Sequence, residues 1–109
     1  MVIHIDTRTA PASVALEAAA DFKSFHICLH GINEAAFEAA AARIGSVADR
    51  DHVFVDRAAL EGLAGEAARD PEWQRSLDAM LQYAASKGWV DANGAPRAHV
   101  VRESDGTSA

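Results

Sequence analysis

The chain has 109 residues, 50% apolar and 24% charged, with a formal net charge of -6. That length fits one domain with a core that needs no staple, and the acidic balance excludes nucleic acid as the expected partner, because such affinity rests on neutralised phosphates. A single cysteine excludes an intrachain disulfide and a cysteine-rich zinc site, and no apolar stretch is long enough to span a membrane or act as a signal segment, so a cytoplasmic setting is expected.

In chain order, VIHID (Val2–Asp6) alternates and is β-branched, which predicts a short strand. TRTAP breaks it. The alanine-rich SVALEAAA over 13–20 favours helix, with Pro11 near its start.

FHICLHG over 25–31 fits two templates. As a strand, Phe25, Ile27 and Leu29 share one face and His26, Cys28 and His30 the other; as a helix, Phe22, Phe25, Leu29 and Ile32 form the stripe and Gly31 caps it. Phe, His, Ile and Cys are poor helix formers together, which favours the strand.

Asn33 is a good N-cap for EAAFEAAAARI, which Gly45 ends. SVADRD reads as a polar loop and HVFV (His52–Val55) as a buried strand. Asp56 is placed to cap a helix over 57–69 with Leu60, Leu63 and Ala67 on one stripe. The next helix has the clearest boundaries. Asp70 caps it, Pro71 and Glu72 suit its first turn, Trp73, Leu77, Met80, Leu81 and Ala84 face inward, and Lys87-Gly88 ends it. WVDANGAPRAHVV reads as a β-hairpin turning in DANGAP, and 103–109 as a flexible polar tail after a single domain over 1–102.

The expected fold is α+β, a small mixed sheet with helices packed on one face and a C-terminal β-hairpin. Alanine buries little surface, so the core is expected to lean on Leu16, Phe22, Phe25, Leu29, Phe37, Phe54, Leu60, Leu63, Trp73, Leu77, Leu81 and Trp89.

All five histidines, His4, His26, His30, His52 and His99, fall in the expected strands, so a helix-free sheet face would gather several of them. Residues two apart on a strand project to one side about 6.6 Å apart, near enough for His26, Cys28 and His30 to share a small ligand. His-x-Cys-x-His is not a usual zinc spacing and the stretch has no carboxylate to orient a ligand, so no metal and no cofactor is expected. Cys28 has two roles open to it, a small core residue or a nucleophile activated by imidazole. Arg97 shares a side of its strand with His99 and suits a carboxylate or phosphate, while on an edge strand it would simply discourage pairing. The candidate ligand-binding set is therefore His26, Cys28, His30, Arg97 and His99.

Two functions follow. The first is a non-catalytic domain that binds a protein partner or itself, expected as a homo-oligomer. The alternative is a small enzyme or ligand-binding protein, of proton-transfer or isomerase type, using the histidine-bearing sheet face on a small molecule. The C-terminal half, with two helices and then a hairpin, is similar in element order to a winged-helix module, which implies a regulator as a further alternative.

Overall fold

The structure is a computed structural model that describes residues 1–103. Strand β1 (Val2–Asp6) buries Ile3 and Ile5 and turns Val2, His4 and Asp6 the other way, as its alternation predicts. β2 (Ser13–Glu17) pairs antiparallel with β1 along its outer edge, and β3 (His26–His30) pairs parallel along the inner one. Helix α1 (Glu34–Ile44) follows, with the Asn33 side chain accepting from the Ala36 N–H. β4 (Gly45–Asp49) and β5 (His52–Val55) form an antiparallel hairpin. Helix α2 (Arg57–Ala64) runs into a 3-10 segment (Gly65–Arg69), then helix α3 (Pro71–Ser86). The last strand, β6 (Arg97–Glu103), returns to the middle of the sheet.

Among the described residues, six strands lie in the order β2-β1-β3-β6-β5-β4. β6 closes the sheet by pairing parallel with β3 and antiparallel with β5. It satisfies both strands at once, so the backbone polar groups of the centre need no water. The fold is α+β with a mixed sheet, as expected.

One hydrophobic cluster joins the sheet to all three helices. Ile3, Ile5, Ile27, Leu29, Val53, Val55, Ala98 and Val100 project from the strands onto Phe37, Ala40, Ala41 and Ile44 of α1, Leu60 of α2, and Trp73 and Leu77 of α3. The small alanines let α1 lie close to the sheet. Their burial moves much of the core onto β-branched strand residues, which an inventory of large side chains overlooks. Of the expected core, Phe54 is half-buried and Trp89 is 41% exposed.

Four local expectations change. The segment 13–20 expected as a helix instead gives a strand over 13–17: eight residues nucleate a helix poorly, whereas the free edge of β1 offers a full ladder, with Val14 and Leu16 packing on the core. SVADRD contributes most of β4, an exposed edge strand in which only Val47 is large and apolar, so it carries no periodic signal. The helix expected over 57–69 breaks at Gly65, whose φ of 62° is left-handed. The C-terminal hairpin is closed by a single bridge, Val90 to Pro96, with the Asp91 carboxylate accepting from Asn93 and Ala95 in the turn; its second arm continues as β6. The second arm of the hairpin that, after two helices, suggested a winged helix is therefore a strand of the same sheet as the N-terminal strands. Of the polar tail, Glu103 ends β6, and residues 104–109 lie outside the described residues.

Candidate functional site

With the helices on one face, strand alternation fixes what the other face carries. His4 opposes Ile3 and Ile5; His26, Cys28 and His30 oppose Ile27 and Leu29; His52 opposes Val53; His99 opposes Ala98 and Val100. All five histidines therefore stand on the helix-free face, as their strand placement led one to expect. Register then sorts them. His26, His99 and His52 occupy one row across β3, β6 and β5, while His4 lies beside Cys28, with His30 two residues further along β3.

The first group meets a cavity. β6 begins at Arg97, ahead of the residue that pairs with the start of β3, and the loop before β3 and the end of α3 border a space there together with Arg97. The resulting cavity has a volume of about 290 Å³. Phe22, Phe25, Met80, Ala84, Trp89 and Pro96 give it an apolar wall, and Tyr83 stands against Trp89 edge to face at 6.0 Å. Lys23, Arg97, His52 and His99 supply its polar side.

The His52 ring is held in place. Its Nδ1 lies 2.9 Å from Asp49 Oδ1, and its ring meets that of His99 edge to face at 5.3 Å. The hydrogen bond from His52, then the N–H of Asp51, holds the Asp49 carboxyl below the usual aspartate range. With Nδ1 engaged by the carboxylate, Nε2 is the nitrogen left to a ligand.

The second group is tighter. His4 Nδ1 and His30 Nε2 are 2.9 Å apart, and their rings stack at 5.1 Å. His4 Nε2 lies 2.8 Å from Glu17 Oε1 on β2. Cys28 completes the group, 8% exposed, with one ligand atom from each of His4, Cys28 and His30 lying within 4.8 Å of one another. Beside them Asp6 is pushed down to about 2, first by its hydrogen bonds from the Arg8 side chain.

The candidate residues thus divide between two places. Arg97 and His99 line the cavity; Cys28 and His30 join His4 in the cluster; His26 stands in register between Val2 and His99 and is not among the cavity's lining residues. Sequence reasoning missed His4, Glu17, His52 and Asp49 as site residues. Strand register supplies the contacts among His4, Glu17, Cys28 and His30, and spacing along one strand carries no trace of them. Only the Asp49–His52 pair, three residues apart across a tight turn, was within reach of the sequence. Comparison with family models, curated proteins and solved structures gives no match for the chain.

Proposed function

We propose that the protein binds a small carboxylate with an aromatic or compact apolar body in the cavity between β6 and the end of α3. One observation carries this: a single concavity is lined both by the apolar Phe22, Phe25, Met80 and Trp89 and by Arg97, Lys23 and two imidazoles. Apolar surface supplies binding energy, and the few polar groups fix orientation. A guanidinium grips a carboxylate by paired hydrogen bonds, and the Lys23 ammonium in the same lining offers a further donor.

Self-association through the open sheet face is the competing reading. That face carries histidines, Asp6, Arg97 and Glu17 among its outward residues, whereas oligomer interfaces are depleted of charge at their centres. The ligand reading is preferred for that reason.

Phenylacetate is a suitable probe, with neutral phenylacetamide as its control. Calorimetry is expected to show saturable binding of phenylacetate, weaker binding of the amide, and about a tenfold loss, on the order of 1.4 kcal/mol, in Arg97→Gln. Equal binding of acid and amide, or an Arg97→Gln variant that binds as well as the parent, would overturn the assignment.

A further inference from the structure

The cluster at the other end of β3 makes no use of the cavity and is independent of it. His4 and Cys28 are direct partners across the parallel β1–β3 pair, and His30 follows Cys28 by two residues on the same face. Neighbouring strands run about 4.8 Å apart, closer than alternate residues of a single strand. A trio drawn from two strands therefore brings its ligand atoms together where the sequence-adjacent His26, Cys28 and His30 do not.

The backbone that carries the cluster is firmly placed. The Thr7 N–H and hydroxyl both donate to the His30 carbonyl at 2.9 Å. Gly31 then leaves the strand at a φ of 92°, with Thr7 Oγ1 in the space a Cβ would need.

The proton positions are also constrained. A carboxylate only accepts, so the neutral His4 ring donates from Nε2 to Glu17 and presents Nδ1 as an acceptor. His30 Nε2 is then the donor across the 2.9 Å contact. The two rings share one proton in the position an ion would take.

We propose that His4 Nδ1, Cys28 Sγ and His30 Nε2 form a binding site for zinc. Two imidazole nitrogens and a thiolate are a borderline-soft donor set that suits zinc, whereas magnesium and calcium require oxygen. Glu17 acts as the outer carboxylate that fixes the His4 tautomer, an arrangement regularly found behind zinc-bound histidine. Tetrahedral zinc with nitrogen bonds near 2.0 Å separates two ligand nitrogens by about 3.3 Å, a small opening of the present 2.9 Å. The thiol proton passes to water as the thiolate binds, and the His30 proton moves from Nε2 to Nδ1. The cluster stands on the helix-free face, with His4 32% exposed, so water completes the coordination and the fourth position stays open to exchange.

Titration of the full chain with cobalt, then zinc, tests the site. Cobalt is expected to bind at one ion per chain with thiolate-to-metal charge-transfer absorption, and zinc to displace it. Cys28→Ser should abolish that absorption, Glu17→Gln should weaken affinity about 10- to 100-fold while keeping it, and His26→Gln, on the same strand but outside the cluster, should change neither. Alkylation of Cys28 in the unaltered protein needs no variant to fold, and stoichiometric zinc should slow it. Cobalt binding without the charge-transfer band, or alkylation unaffected by zinc, overturns the proposal.

Discussion

Gly31 sets the geometry at the end of β3 through two separate constraints. Its φ of 92° is left-handed, and a Cβ there would collide with Thr7 Oγ1, whose hydroxyl is committed to the His30 carbonyl. Gly31→Ala is therefore expected to cost roughly 2 kcal/mol in chemical denaturation, combining backbone strain with displacement of a hydrogen bond. A variant within experimental error of the parent would show that the turn relaxes freely. Gly45 is constrained differently. Its backbone is extended, and what excludes a side chain is the Phe54 carbonyl crossing from β5. Neither constraint was visible in the sequence beyond helix punctuation, because both depend on a chain segment far away along the sequence.

At the scale of elements, α3 shows what local chemistry can specify. Asp70 accepts from the Glu72 N–H, Pro71 opens the helix, and Trp73, Leu77 and Ala84 are its buried residues, all as the sequence indicates. Asp70→Ala should lose about 1 kcal/mol by urea unfolding, the usual cost of a lost N-terminal cap. An unchanged midpoint would mean that packing alone defines the helix start. Trp73 adds a tertiary anchor, its indole N–H donating to the Ala19 carbonyl at 2.9 Å.

The strand at 26–30 was legible because its apolar residues alternate and its composition resists helix. The strands at 13–17 and 45–49 were not. SVALE alternates over only five residues beside an alanine run, and GSVAD is an exposed edge; both become strands because a neighbouring strand presents unpaired backbone groups. The site was legible to a similar depth. Alternation placed the histidines on one face, but only register could exchange His26 for His4 in the cluster and add His52 to the cavity.

At the scale of the whole molecule, Arg102 fastens three distant segments. Its guanidinium grips Glu34 at the start of α1 through two hydrogen bonds, reaches Asp51 and the Arg50 carbonyl in the β4–β5 turn, and lies over the Phe37 ring at 5.6 Å. The hydrogen bonds from Arg102 hold the Glu34 carboxyl below its ordinary value of 4.5. A depressed carboxyl contributes stability that is present above its unfolded value and lost as pH falls through the folded one. Urea midpoints should therefore decline as the solution is acidified below about pH 4.5, and Glu34→Gln should flatten part of that decline. Parallel pH profiles for the parent and Glu34→Gln would assign the acid sensitivity to other carboxylates.

The same architecture keeps the two candidate sites apart. The cavity lies at the start of β3 and the His4–Cys28–His30 cluster toward its end, so a ligand at one need not disturb the other. Histidine-resolved NMR during a phenylacetate titration tests the central claim most directly. The resonances of His52 and His99 are expected to move and saturate together while those of His4 and His30 hold still. Shifts spread evenly over all five histidines without saturation, or no shift at His52 and His99, would contradict a carboxylate site in the cavity.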